Sequence, residues 1–227
     1  MLKNKLLFGL IVVLLNCSSP QSFSYTPTDH PEPKVKLGKS IGILPFKDLR
    51  PFEDRNRLIF PFAIIPLILW QTIENERPIQ YENAEIIEFE SKLRHAIQNE
   101  LESRKVFKEV FLDFPPIAKP IDYKVEIKLY STKEKRIITM YGLSFLGIYI
   151  SVLGIPSANV ENTLILNVNL IDTKTNQSLF QKKYNEMQNR FFSRHSYDSN
   201  KFQNEIDIVQ RMFPEIANDI VNAISKK

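Results

Sequence analysis

The sequence of 227 residues is poor in the residues from which disulfides, metal sites and phosphate-binding loops are made. Its single cysteine excludes an internal disulfide, and three scattered histidines leave no Cys/His zinc cluster. Six glycines supply neither a Gly-rich phosphate loop nor a dinucleotide fingerprint. A net charge of +4 is too small for a nucleic-acid-binding surface. The composition that remains, 43% hydrophobic and 25% charged, is typical of one globular domain.

Residues 1–16 predict a lipoprotein signal peptide. Lys3 and Lys5 precede an apolar run of ten residues, which is about half the length that a membrane-spanning helix needs. The run ends at Asn16 and Cys17, the only cysteine. This arrangement resembles the lipobox of bacterial lipoproteins of the looser, spirochaete type, in which the cysteine is acylated with fatty acids such as palmitate. The alternative is an ordinary secretory signal in which Cys17 has no role.

The lipobox resemblance implies a cell-envelope protein anchored by lipid at Cys17, with the outer membrane as the expected location. Several long acyl chains anchor a protein stably where a single chain does not. Removal of Lys3 and Lys5 from the 30 basic residues leaves 28 against 26 acidic ones, so the attachment is expected to be lipidic and not electrostatic. Residues 17–37, rich in Ser, Pro and Thr without periodicity, are predicted to form an acylated flexible tether.

Apolar periodicity over residues 38–227 predicts a single α/β domain of the α+β class, with two helices on one face of a mixed five-stranded sheet. The predicted order is β-α-β-β-β-β-α. Strands are predicted at 41–46, 106–112, 122–131, 163–172 and 178–187, and helices at 85–105 and from an Asp198 cap to the carboxyl terminus. The first two strands are expected to be parallel. The glutamates of the first helix are expected on its solvated face, and His95 at the surface.

Two predicted connections are unusually apolar: 58–73 carries no charge over sixteen residues and 137–160 none over twenty-four. Internal prolines and glycines make both poor membrane-spanning helices. Three explanations stay open, namely additional core, segments at the membrane interface beside the lipid anchor, and a surface for a protein partner or for self-association. The side chains predicted to contact membrane or partner are Phe60, Phe62, Ile65, Leu67, Trp70, Tyr141, Phe145, Ile148, Tyr149 and Leu153.

The segments Ile41–Phe46, Asp122–Leu129 and Leu164–Asp172 resemble strands of the curli-secretion-channel lipoprotein family and of the amino-terminal domain of the Tol-system β-propeller protein. The resemblance covers residues 41–227 and implies this fold together with a lipid anchor. In the curli channel, a hairpin at the position of 137–160 enters the outer membrane. The piece Tyr141–Gly147 is also similar to uncharacterised envelope lipoproteins, which imply no activity.

Neither a GxSxG elbow nor an HExxH helix is present in the sequence. Ser193, His195 and Asp198 are close in sequence, but the members of a catalytic triad converge from distant segments, so a loop and a helix cap are expected there. Asp48 and Arg50 are expected to form a structural ion pair. We therefore predict a non-catalytic structural or assembly/interaction module with no cofactor, metal or nucleic-acid partner. The alternative is a subunit of an envelope export or transport assembly, either an oligomeric channel or a carrier of an apolar ligand.

Overall fold

The computed structural model describes residues 24–30, 36–51, 53–59, 68–76, 84–112, 120–141, 158–192 and 203–226. These residues form the strands β1 (Ser40–Ile43), β2 (Lys47–Asp48), β3 (Glu53–Ile59), β4 (Ile68–Glu76), β5 (Glu109–Leu112), β6 (Tyr123–Tyr141), β7 (Ala158–Asp172) and β8 (Ser178–Phe192), and the helices α1 (Ala84–Ser103) and α2 (Gln203–Ser225). The fold is α+β with one mixed sheet, as predicted. The sheet has eight strands where five were expected.

The nineteen-residue strand β6 organises the sheet. One edge of β6 pairs in turn with β1 and β2, both parallel to it, and then with the antiparallel strand β4. The other edge pairs with β7, and β7 pairs with β8. β5 lies beyond β1, and β3 lies beyond β4. The predicted parallel pairing of the first strand with the strand that follows the first helix is confirmed by the pair β1 and β5.

The sequence pattern does not predict β2, β3 or β4, and the order β-α-β-β-β-β-α is wrong because four strands precede α1. β3 is mostly charged and polar and shows no apolar alternation. The segment 58–73 supplies the end of β3 and most of β4, and the segment 137–160 supplies the end of β6 and the start of β7. β3 and β4 depend on the long edge of β6 for their hydrogen-bond partners, and pairing of this kind overrides local propensity.

The core lies between one face of the sheet and the two helices, so the prediction of helices on one face is confirmed. Every second residue of β7 is buried from Ala158 to Asp172. The apolar stripes predicted for the helices are buried wherever the structure describes their side chains: Leu93, Ile97 and Leu101 in α1, and Ile206, Val209, Phe213, Ile216, Ile220 and Ile224 in α2. Each such side chain contributes about 1.5–3 kcal/mol of transfer free energy, which explains why both helices dock on this face.

A β-bulge in β6 changes the character of the helix-facing side along the strand. The register shifts between Leu129 and Ser131, which leaves Tyr130 as the extra residue. Beyond the bulge, Thr132 pairs with the buried Leu164 and therefore takes the helix-facing side. This face is apolar before the bulge and polar immediately after it.

Candidate membrane-contact surface and buried polar clusters

Both charge-free segments leave the sheet at the same end. β4 runs antiparallel to β6, so that Ile68, the first residue of β4, pairs with Tyr141, the last residue of β6. β3 ends and β7 begins at the same end, through their own antiparallel pairings. The connections 60–67 and 142–157 therefore both start and finish there. We call this the apolar end and define it by the strand termini Ile59, Ile68, Tyr141 and Ala158.

Two of the residues predicted to contact membrane or partner lie in described strands. Trp70 belongs to β4, where it pairs with Ile59 and Thr139, and Tyr141 closes β6. The remaining predicted residues lie outside the described part of the chain: Phe60, Phe62, Ile65, Leu67, Phe145, Ile148, Tyr149, Leu153 and the lipidation residue Cys17. The structure therefore places Trp70 and Tyr141 at the apolar end, and the contact of every one of these residues with membrane or partner stays a prediction.

Two exposed apolar side chains on β8 extend this surface. Phe191 is 69% exposed and Met187 is 57% exposed. Phe191 pairs with Asn159, the second residue of β7, which places it at the apolar end. Phe191 lies beyond the predicted end of this strand at residue 187, and Met187 lies within the predicted strand but is not among the predicted contact residues. The sequence signal for an exposed aromatic side chain here is the adjacent pair Phe191 and Phe192. Adjacent residues of a strand point to opposite faces, and of these two Phe192 is buried.

A buried carboxylate connects the amino-terminal residues to α1. The Glu100 side chain is fully buried. It accepts hydrogen bonds from the Tyr25 hydroxyl at 2.6 Å and from the Thr28 amide at 3.0 Å, and it pairs with His30 Nε2 at 3.0 Å. One turn along the helix, Arg104 Nη2 donates to it at 3.0 Å. The expectation that Glu100 lies on the solvated face of the helix is therefore wrong, whereas His95 is exposed as predicted.

The groups around Glu100 favour its ionised form. Burial alone would raise the pKa of Glu100, but the four surrounding hydrogen-bond donors outweigh burial and lower this pKa below its ordinary value. Burial and the bond to Glu100 raise the pKa of Tyr25, so its hydroxyl stays protonated and donates. Residues 24–30 are thus held on the domain, and the flexible tether predicted over 17–37 does not include them.

Asp48 and Arg50 form the structural ion pair that the sequence predicts. Arg50 donates to one Asp48 oxygen from Nε at 2.9 Å and to the other from Nη2 at 3.2 Å, and both side chains are buried. Arg50 Nη1 also donates to the hydroxyl of Thr132, beyond the bulge of β6. Burial raises the pKa of Glu90, which accepts a bond from the Phe46 amide at 3.3 Å. This cluster ties β2 and α1 to β6.

A third polar cluster holds α2 on β8. Lys182 Nζ lies 2.7 Å from Asp219 and 2.8 Å from Glu215, and the Tyr184 hydroxyl donates to Asp219 at 2.7 Å. Burial would raise the pKa of Asp219, but the bonds from Lys182 and Tyr184 lower it. The four side chains of this cluster bond one another across the contact between α2 and β8, so we assign the cluster a structural role.

The described residues contain no group of three His, Cys, Asp or Glu side chains that could hold a metal ion. Neither α1 nor α2 is long and apolar enough to cross a membrane. The cluster of Ser193, His195 and Asp198 lies outside the described residues, and so does the predicted cap of the last helix. The predicted lack of catalysis therefore stays a prediction.

No protein-family model matches the chain, and no curated protein matches it. Among solved structures, a Xanthomonas campestris protein of the family DUF330 is 10% identical with a TM-score of 0.49, covering 90% of this chain and 98% of that one. A Helicobacter pylori protein described as a candidate homologue of the neuraminyllactose-binding haemagglutinin is 10% identical with a TM-score of 0.49, covering 91% and 97%. A Caulobacter crescentus protein described as a candidate lipoprotein is 9% identical with a TM-score of 0.37, covering 60% and 83%. All three TM-scores lie below 0.5, so these likenesses say nothing about function, and the resemblance to the curli and Tol families stays a prediction.

Proposed function

We propose that this protein is a lipid-anchored component of the cell envelope, without catalytic activity, whose apolar end lies against the bilayer. One observation carries the proposal: the two charge-free segments, separated by 63 residues in sequence, leave the sheet at the same end. Segment 60–67 alone contains five large apolar side chains. Each costs about 1.5–3 kcal/mol to keep in water, so a hydrophobic environment is expected around them.

The position of the amino-terminal residues is compatible with a bilayer at this end. Tyr25 is held beside Phe213, and Cys17 precedes it by eight residues, which span at most about 28 Å. From Phe213 to the start of α2 at Gln203 is about 15 Å along the helix. Asn204 then donates to the Val160 carbonyl at 3.0 Å, two residues from the apolar end. The acyl chains on Cys17 can therefore enter a membrane that touches the apolar end.

The proposed membrane contact is tested with the chain that lacks its leader and carries Cys17→Ser, so that no lipid assists binding. Flotation with vesicles of phosphatidylethanolamine and phosphatidylglycerol should recover this protein in the lipid fraction. Leu67→Asp and Ile148→Asp should stay behind, because a carboxylate at the membrane interface costs binding free energy. Leu49→Asp is the matched control, since Leu49 is an exposed leucine whose amide donates to the Leu129 carbonyl, twelve residues along β6 from Tyr141 at the apolar end. It should float like the parent.

Two results would overturn the membrane contact. One is an unlipidated parent that does not float, or charge variants that float equally well. The other is loss of the cooperative thermal transition in the charge variants, which would make the segments core. The anchor is tested separately: detergent-phase partitioning should be lost in Cys17→Ala, and mass spectrometry of the purified native protein should show a diacylated or triacylated cysteine. An unmodified thiol would refute the anchor.

The second candidate is a subunit of an export or transport assembly built from several copies. It is favoured by β8, a fifteen-residue strand that pairs only with β7 among the described strands and exposes Met187 and Phe191. Long edge strands with exposed apolar side chains are usually covered by a neighbour. Native mass spectrometry of the detergent-solubilised lipoprotein decides between the candidates. A discrete oligomer that dissociates in Phe191→Asp supports the assembly, and a monomer rejects it.

A further inference from the structure

Residues 24–30, which we call the strap, lie on the helical layer and contact a single carboxylate three times. Tyr25, Thr28 and His30 all contact Glu100, which lies 70 to 75 residues away in sequence. The Tyr25 ring also packs on Phe213 of α2, with 5.9 Å between ring centroids. The strap therefore bridges α1 and α2.

The strap supplies most of the hydrogen bonds that Glu100 receives. Within the described part of the chain, four groups bond this carboxylate: three belong to the strap and the fourth is Arg104 of the helix. A buried charge is tolerated only when its hydrogen-bonding capacity is filled. Docking of the strap and burial of ionised Glu100 are thus coupled, because each requires the other.

The docked strap changes the length of chain between lipid and domain. When it is docked, Cys17 and Tyr25, the first described residue with a contact to the helices, are eight residues apart and can be separated by at most about 28 Å. When it is released, the next described residue with a backbone bond to the domain is Leu37, whose amide donates to the Val106 carbonyl at 3.0 Å. Twenty residues then separate lipid from domain, with a maximum reach of about 70 Å.

We infer that the strap is a latch: docked on Glu100 it holds the apolar end at the bilayer, and released it lets the domain stand away from the membrane. This inference deepens the proposed function and rests on its lipid anchor. The contact is suited to opening because it is small. Four of the seven strap residues are exposed, and its polar contacts converge on one side chain, so local opening costs far less than unfolding the domain.

Hydrogen exchange on the full mature chain with Cys17→Ser tests the latch without any lipid. In the parent, the peptide covering 24–30 should be protected, since the Thr28 amide donates to Glu100. Glu100→Gln should accelerate exchange in this peptide by about tenfold or more, the loss expected for a hydrogen bond to a charged group. Glu102→Gln is the matched control on an exposed residue of the same helix. It should leave the peptide unchanged.

Tyr25→Phe is the second variant, because it removes one strap donor and leaves the helix intact. It should also accelerate exchange in 24–30 while the peptides of β7 keep their protection. If the parent strap exchanges as fast as a free peptide, or if neither Glu100→Gln nor Tyr25→Phe changes its exchange, the latch is refuted. This outcome does not depend on whether Cys17 is acylated.

The membrane consequence is tested on the lipidated protein in nanodiscs. Because the native cysteine is acylated, Thr175→Cys in the exposed turn between β7 and β8 offers a single thiol for a dye. Energy transfer from this dye to labelled lipid headgroups should give one narrow distribution of dye-to-membrane distances in the parent, and a broader distribution with longer distances in Tyr25→Phe. Identical distributions would overturn the coupling between strap docking and the distance of the domain from the membrane. If the chain proves not to carry lipid, the proposed function and the membrane role of the latch both fail, whereas the exchange result still decides whether the strap docks through Glu100.

Discussion

Replacing Arg104 by methionine tests whether the buried pair with Glu100 stabilises the contact between the helices. Arg104 is 9% exposed and donates from Nη2 to Glu100 at 3.0 Å and to the Pro214 carbonyl at 2.9 Å. Its Nη1 also donates to Asn218. Methionine keeps the apolar stem of the side chain and removes every one of these bonds.

The expected cost follows from what the substitution leaves behind. Removing one partner of a buried pair usually costs about 3–5 kcal/mol. Glu100 would keep its three donors from the strap, so we expect the lower limit, about 3 kcal/mol of the free energy of unfolding. For a domain of this size, urea dependence of about 2–3 kcal/mol per molar converts this loss into a midpoint lower by about 1–1.5 M.

Equilibrium unfolding in urea, followed by circular dichroism, measures the shift. Arg211→Met is the control: Arg211 is half exposed and bonds Gln188 at 2.8 Å, and an exposed contact of this kind is worth less than about 1 kcal/mol. The double variant Arg104→Met with Glu100→Gln should recover part of the loss, because no charge is then left buried without its partner. If Arg104→Met destabilises no more than Arg211→Met, the reasoning about this cluster is wrong.

Three further predictions concern stability. Asp48→Asn should lower the free energy of unfolding, measured in urea, by about 2–3 kcal/mol, because it leaves the buried Arg50 guanidinium without its carboxylate. Lys47→Ala, a substitution of the exposed neighbouring residue, is the control and should have no measurable effect. The pKa of Glu100 is lower in the folded state than in the unfolded state, so ionised Glu100 stabilises the fold above the ordinary carboxyl pKa, and this stabilisation is lost as the pH falls through the folded value. Glu100→Gln should therefore weaken the decrease in the free energy of unfolding below about pH 4.5. The same pH dependence in both proteins would contradict this. Leu166→Ala should cost about 2–5 kcal/mol by leaving a cavity in the fully buried core, and a thermal midpoint close to the parent's would contradict that placement.

The helices and the inner strands can be read from the sequence because each buries one face. Val209, Phe213 and Ile216 recur at helical spacing and are all buried in α2. The alternation of β7 likewise gives its buried residues without further information. In these elements the local pattern and the tertiary packing agree.

The edge strands and the buried carboxylate could not be read in this way. β3 has the composition of a loop, and it is a strand only because β4 lies beside it and β6 beside β4. Glu100 and Arg104 have the spacing of an ordinary exposed ion pair on a helix. Glu100 is buried where residues 24–30, far away along the chain, bond to it, and Arg104 is buried where it bonds to Asn218 and Pro214 of α2.

The candidate surface shows the same division. That two long segments carry no charge is a property of the chain, visible without any coordinates, and so is the lone cysteine after the apolar leader. That both segments leave the sheet at one end depends on β4 running antiparallel to β6, since the parallel alternative would place their exits at opposite ends. Strand direction is set by hydrogen bonding between segments that are distant in the chain, so it cannot be predicted from local composition.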